Sequence, residues 1–235
     1  MDKVSIIIPF YNDPYVDRAI KSALDQTYEN KEIIVVNDGS TSYTEKIKPY
    51  LDKIVYIEKE NGGTASALNT GIKRATGDYF SWLSSDDLYE AVKIERQLAF
   101  MKGLNASISY CNYYLINEED KVISHPAGIG TSDKKFFLEY MLNGCIINGC
   151  TVMVKMSVFN EVGLFDESLN YTQDYDMWLR ILEFYDFYYL DQPLVKYRVH
   201  KGMGSQRHRR EIPKEIRLVK YRHRKKLYSL IQEIK

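Results

Sequence analysis

The chain has 235 residues, 45% of them hydrophobic and 27% charged, with 32 basic and 32 acidic side chains. That balance suits a globular protein of one large domain or a domain with an appendage, and a net formal charge of zero excludes a molecule that binds polyanions over its whole surface. No apolar run approaches the roughly 20 residues that cross a bilayer. The N-terminal "MDKVSIIIPF" lacks a signal peptide's longer apolar stretch and cleavage site. Cys111, Cys145 and Cys150 have no zinc spacing and read as reduced packing residues of a cytoplasmic protein.

In chain order, "KVSIIIPF" is a β-rich apolar run and reads as a buried strand. "NDPYVDRAIKSALDQT" follows, with Val16, Ala19, Ile20, Ala23 and Leu24 on one helical face. "KEIIVVNDGS" and "KIVYIEK" are two further strands, "GGTASALNTGIKRATG" a helix opened by glycines, and "DYFSWLSS" a fourth strand. A helix is then expected through "LYEAVKIERQLAFMKG" to about Lys102. Asp87 with Glu90 three residues on fits a capping box for its start. Strand and helix alternating at these spacings argue for right-handed β-α-β units around a mostly parallel sheet.

The second half is less regular. "ASISYCNYYLIN" and "KVISHP" read as strands joined by a turn at Glu118–Asp120, "DKKFFLEYMLNG" as a short helix, and "CTVMVK" as a strand followed by a helical turn from Ser157 to Val162. "TQDYDMWLRILEFYDF" is a strong helix, "YYLDQPLVKYRVH" one or two strands, and "IPKEIRLVKYRHRKKLYSLIQEI" a basic helix.

Four stretches stand out at the ends where α/β sheets bind ligands. "VVNDGS" is a turn by composition, and Asp38 in it is placed to face a base or ribose. The paired glycines of "ENGGTASALNTG" permit close backbone approach to a ligand at a helix start. There is no G-x-G-x-x-G and no G-x-x-x-x-G-K-[ST], which argues against a dinucleotide dehydrogenase and a P-loop enzyme. In "WLSSDD", capping accounts for Asp87 and leaves Asp86 as a surplus carboxylate, a candidate metal or sugar contact. In "TQDYDMW", Thr172 or Asp174 can cap. Asp174 and Asp176 fall on different helix faces, so one is free to point into a cleft.

As an ordered set, "SIIIPFYN", "VVNDGS", "NGGTASALNTGI", "WLSSDD", "VGLFDESLNYTQDYDMWLR" and "YRVH" resemble the family two nucleotide-sugar glycosyltransferases with the GT-A fold, over about residues 3–205. The resemblance implies an α/β, Rossmann-like, mostly parallel central sheet with helices on both faces. It implies a nucleotide-binding half over 1–102, an acceptor-binding half over 103–205 and a basic helical extension over 206–235. It implies that Asp38 binds the base, commonly uracil, with Pro9, Tyr11 and Asn12 lining the same pocket, and that Gly63, Ala67, Ser84 and Ser85 border the donor. Asp86 matches the last Asp of the family's D-x-D and would hold a divalent cation, Mn²⁺ or Mg²⁺, with His200 as a further metal or phosphate contact. Asp174 would be the general base. Ser84 stands where the first Asp of D-x-D is frequent, Gln173 where Glu is, and Leu68 where Arg is. The Q-x-x-R-W signature of processive members is absent.

The implied activity is inverting, metal-dependent, non-processive transfer of a hexosyl or N-acetylhexosaminyl group from a nucleotide sugar, commonly UDP-linked, to a glycan or lipid-linked acceptor. A metal-dependent nucleotidyltransferase and a non-catalytic sugar-nucleotide or glycan-binding protein are the alternatives. The first would need a basic Gly-rich phosphate loop, and the second has no need of Asp174. Lys201 to Lys226 carries eleven Lys or Arg against two Glu. With an apolar edge of Leu218, Leu227 and Leu230, this helix is expected to contact the anionic inner face of a membrane. No nucleic-acid-binding module accompanies the charge, so no nucleic-acid partner is expected.

Overall fold

The computed structural model describes residues 1–131 and 133–234. Its elements are β1 (Val4–Phe10), α1 (Val16–Leu24), β2 (Lys31–Asp38), β3 (Val55–Lys59), α2 (Gly63–Arg74), β4 (Tyr79–Trp82), β5 (Leu88–Tyr89), α3 (Lys93–Gly103), β6 (Ile108–Ile116), α4 (Lys134–Asn143), β7 (Val152–Lys155), α5 (Val158–Val162), α6 (Gln173–Leu182), β8 (Phe187–Arg198), α7 (Gly204–Arg207) and α8 (Ile212–Glu233).

One eight-stranded sheet runs in the order β3-β2-β1-β4-β7-β6-β8-β5. The pairings β1–β2, β1–β4, β2–β3 and β6–β8 are parallel, and those of β7 with β4 and β6 and of β5 with β8 are antiparallel. Six strands therefore point one way, and β5 and β7 run against them. The carboxyl ends of β1, β2, β4 and β8 open on the same edge, where an α/β sheet presents ligands.

The alternation of side chains along a strand splits the interior into two cores. Ile7, Ile34, Val36, Phe80 and Trp82 face α2, α4, α6 and α8. Ile6, Ile8, Ile33, Val35 and Tyr79 face α1 and α3. The unbroken apolar runs of β1 and β2 thus reflect burial on both faces. The expected sheet with helices on both sides is what forms. The C-terminal helix joins the first core through Val219 and Leu227, 0% and 2% exposed.

Four expectations about individual elements are overturned. The helix expected from Leu88 starts at Lys93, and Val92 before it makes no side-chain cap bond. Leu88 and Tyr89 pair instead with Lys196 and Val195 of β8. Asp87 is no cap: it is fully buried, accepts from the Arg198 amide at 2.8 Å and accepts from the Cys150 thiol at 2.9 Å. The sheet edge needed a partner, and that pairing outweighed a local capping preference. "KVISHP" makes a single bridge, Val122 to Ile116, rather than a strand. The supposed membrane edge of α8 is also reassigned, because Leu227 is core and Leu230 packs against it, leaving only Leu218 outside.

Candidate active site

A cleft of about 670 Å³ opens at the carboxyl edge. Of the residues singled out in the sequence, Pro9, Tyr11, Asp38, Gly63, Ala67, Ser84, Ser85, Asp86 and His200 line it. Asn12 does not. It sits at φ 49, and its side-chain oxygen accepts from the amides of Thr41 and Ser42, both at 2.8 Å, which staples the β1 loop to the β2 loop.

Asp38 ends β2 with its carboxylate nearly buried. Oδ1 takes the Lys59 ammonium at 2.7 Å and the Gly62 amide at 3.0 Å, and Oδ2 takes the Gly63 amide at 2.7 Å. The residue expected to meet a base therefore also shapes the glycine loop. A carboxylate has about four acceptor sites, so these bonds leave capacity for one more donor. Gly63 lies at φ +83, and a side chain there would meet nothing within 4 Å, so its backbone is open to a ligand. Leu68, one turn into α2, is fully buried in the core and cannot take the place of an arginine at the cleft.

The second wall is the "SSDD" loop after β4. His200 Nε2 and Asp86 Oδ2 are 3.1 Å apart, joining residues 114 positions distant in the chain. Arg198 builds this contact. Its Nε donates to the Asp86 carbonyl at 2.7 Å, and its Nη1 donates to the Asn117 and Glu118 carbonyls at 2.8 and 3.3 Å. Nη2 lies 2.5 Å from Asp120 without alignment for a hydrogen bond, and the guanidinium covers the Tyr15 ring at 4.2 Å. The hydrogen bond to Asp86 holds the His200 imidazole above its ordinary pKa. Ser84, in place of a first aspartate, contacts the Cys150 thiol with its hydroxyl at 2.9 Å.

Asp174 lies beside the cleft rather than on its wall, while its neighbours Asn170, Tyr171 and Gln173 face the cavity. The residue is partly exposed but its carboxyl is turned inward, and Oδ1 accepts from the Tyr175 amide at 2.7 Å. Burial pushes its pKa up to about 6. Asp176, the alternative on the other face, is committed elsewhere: Oδ2 accepts from Arg180 Nε at 2.8 Å, and Oδ1 is 2.9 Å from His223 Nε2.

The sequence reading missed several cleft residues. Asp13 lies near Asp86, and burial together with the Asp86 charge pushes its carboxyl up to about 6. Its place after a strand's carboxyl end was a usable signal. Tyr171, Arg207 and His208 also line the cleft, and Tyr171 stacks on His208 with centroids 4.5 Å apart. Nothing local in the sequence announces that the segment after His200 folds back over the site.

Among the described residues no group of three or more His, Cys, Asp or Glu side chains is gathered around a metal position. Asp86 and His200 are an oxygen and a nitrogen donor at the cleft wall that would suit a divalent cation sharing its remaining positions with substrate phosphates and water. Mg²⁺ in particular is held by one or two carboxylates plus substrate phosphates.

Residues 5–163 match the family model described as glycosyl transferase family 2. An uncharacterized glycosyltransferase of Rickettsia typhi is 48% identical over 212 residues, which covers 86% of this chain and 65% of that protein. The chain spans as little as 31% of another rickettsial relative, an uncharacterized glycosyltransferase of Rickettsia bellii, at 46% identity over 87% of this chain. The UDP-Glc:alpha-D-GlcNAc-diphosphoundecaprenol beta-1,3-glucosyltransferase WfaP of Escherichia coli is 35% identical over 94% of this chain and 86% of its own length. Among solved structures, S. aureus TarS in complex with UDP superposes with a TM-score of 0.66 at 20% identity, over 92% of this chain and 65% of that one. The mannosyltransferase PcManGT of Pyrobaculum calidifontis, in complex with GDP-Man and Mn²⁺, superposes with a TM-score of 0.65 at 18% identity, over 86% and 58%. The two structures share the fold, and with the family match covering more than half of its length, the chain belongs to glycosyl transferase family 2.

Proposed function

We propose that this chain is a metal-dependent, inverting, non-processive glycosyltransferase that moves a sugar from a UDP-linked donor to an acceptor hydroxyl in cell-surface polysaccharide or glycolipid assembly. The observation that carries the reading is the cleft itself. It joins the Asp38–glycine loop, the Asp86–His200 pair and the α6 N-terminus at the carboxyl edge of one sheet. A purely binding protein would not need the Asp174 carboxylate beside that cleft, and a nucleotidyltransferase would need a basic phosphate loop after β1, which "PFYNDPY" is not. The E. coli relative is named for a UDP-glucose donor and a diphosphoundecaprenol-linked acceptor, and TarS was solved with UDP. Both support a UDP donor, and the E. coli relative supports a lipid-linked acceptor here.

In this reading Asp38 and the Tyr11 segment hold the nucleotide, and Gly63 admits it closely. Asp86 and His200 would hold a divalent cation, which when bound would supply positive charge to the departing diphosphate. Asp174 takes the acceptor's proton while that oxygen bonds the anomeric carbon and the bond to the diphosphate oxygen breaks, inverting the centre. A positioned base of this kind is worth ~10²–10⁴-fold. Inversion requires the acceptor and the leaving diphosphate on opposite sides of the sugar, so this reading has Asp174 serve the acceptor while Asp86 and His200 serve the diphosphate.

The test is release of UDP from a panel of UDP-sugars with lipid-linked acceptors, in Mn²⁺, Mg²⁺ or chelator. Asp86→Asn should abolish metal-dependent transfer. Asp174→Asn should cut turnover strongly but spare donor affinity measured by calorimetry, as for a group needed only in the transition state. Undiminished transfer by Asp86→Asn would exclude the cation site, and lost donor affinity in Asp174→Asn would make that residue a binding group.

We further infer that α8 rests on an anionic bilayer. Its outward face carries Lys214, Arg217, Leu218, Tyr221, Arg224, Lys225 and Tyr228 at helical spacing, all exposed, with Arg224 over the Tyr221 ring at 4.6 Å. Basic and aromatic side chains mixed on one helical face suit the interface of a charged membrane. No helix among the described residues is long and apolar enough to cross one.

A further inference from the structure

The N-terminus of α6 is not capped by its own sequence. Thr172, at the N-cap, makes no side-chain bond to the helix. The amides of the turn leading into it are met by a residue more than forty positions away. Glu215, in the first turns of α8, accepts from the Asn170 amide through Oε1 at 3.0 Å. Its Oε2 accepts from the amides of Tyr171 and Thr172, both at 2.7 Å, and from the Thr172 hydroxyl at 2.8 Å. A carboxylate that accepts three backbone N–H groups in the turn before a helix fixes that turn, and its charge complements the helix dipole.

The surroundings hold both partners in place. α8 is anchored by Val219 and Leu227 in the same core as Tyr175 and Trp178. His223 meets Asp176 at 2.9 Å, and Arg222 donates to Asp166 at 2.9 Å. Arg180 in turn donates to the carbonyls of Val162 and Leu164, at 2.5 and 2.9 Å. The whole stretch from Val162 to Asp176, which brings Asn170, Tyr171 and Gln173 to the cleft, is thereby fastened to the C-terminal helix. The family match ends at residue 163, so this fastening lies outside it.

We propose that Glu215 is a positioning residue for the transfer reaction: its carboxylate fixes the Asn170–Thr172 turn and so the place of Asp174 beside the cleft. The inference rests on the reading of Asp174 as base. The groups that face Asp174 are the backbone amides at 174 and 175, the Cys145 thiol from the loop after α4, and Glu215 from α8. Of these, Glu215 is the negative charge, and like charge favours the protonated carboxyl. Its removal lowers the Asp174 pKa, so the base is ionised at lower pH.

Glu215→Gln keeps the side chain's size and removes the charge and part of its acceptor capacity. In the full chain, kcat should fall about tenfold or more, with little change in the donor KM. The acid limb of kcat should move to lower pH, and the titration of the Asp174 carboxyl followed by NMR should move with it. Glu215→Asp, which keeps the charge, should hold the limb near its wild-type position. A Glu215→Gln variant with wild-type kcat, or one that loses only thermal stability while limb and Asp174 titration stay put, overturns the proposal alone. Full turnover by Asp174→Asn overturns the base assignment and this inference together.

Discussion

Asp87 shows how differently one residue reads in sequence and in space. Beside Asp86 it is a second carboxylate; in the fold its environment is the inside of the protein. Burial and the Asp86 charge both push its carboxyl upward, yet it stays useful as the acceptor for the Arg198 amide and the Cys150 thiol. Asp87→Ala leaves a buried N–H without a partner, a loss of ~1–3 kcal/mol. Asp87→Asn retains an oxygen for that amide and should cost clearly less. Chemical unfolding of the two variants checks the order, and equal stability of Asp87→Ala and wild type would remove the role. Because Arg198 also holds the Asp86 carbonyl at 2.7 Å, the alanine variant should weaken transfer as well.

Among elements, the contact of α2 with β1 decides where the glycine loop sits. A Cβ built on Gly71 would lie 2.5 Å from Ile7 Cγ2, and Ile7 is fully buried. Two effects of Gly71→Ala oppose each other. Alanine raises helix propensity by ~1 kcal/mol, whereas overpacking a filled core costs ~1–3 kcal/mol. Three Ile7 side-chain atoms lie within 3.3 Å of that Cβ in a closed core, so overpacking should win, with a net loss of about 1 kcal/mol in urea unfolding. The helix should also shift outward and weaken donor binding, since its first residue is Gly63. A variant more stable than wild type would show that β1 and α2 can part without strain. At the other end of the site, β5 pairs with β8 through only two residues, yet that pairing moves the start of α3 from Leu88 to Lys93.

At the scale of the whole molecule, α8 has two faces with different work. Its inner face completes the core and, through Glu215, the turn before α6. Its outer face is the basic and aromatic stripe. Deleting the helix would confound the two, so the membrane reading is better tested by charge reversal on the outside. Arg217→Glu, Arg224→Glu and Lys225→Glu combined should leave the melting temperature near wild type, because all three side chains are exposed. At ~1 kcal/mol per basic residue near anionic lipid, the triple variant should lose most sedimentation with anionic vesicles at low salt. Indifference of the wild-type chain to anionic vesicles at low salt would leave the stripe without a membrane.

The sequence by itself determined the parts whose signals are local. Apolar runs marked the doubly buried strands, the 3.6-residue period marked α1, α6 and α8, and the ordered motifs marked the cleft residues from Pro9 to His200. It also singled out Asp86, but on the premise that Asp87 caps a helix, and the fold instead buries Asp87 and pairs Asp86 with His200. The tertiary structure decided everything that depends on a partner distant in the chain. Asp87 turned from cap to buried acceptor because Arg198 and Cys150 arrive there. Leu227 turned inward because α4 and α6 leave an apolar surface to cover. Asn12 became a staple and Asp38 a brace for the glycine loop. The turn before α6 is held by Glu215, which no spacing rule reaches. Periodicity records which face of an element is buried, but a hydrogen bond between residues 43 or 111 positions apart exists only after the chain has folded and brought its donor to its acceptor.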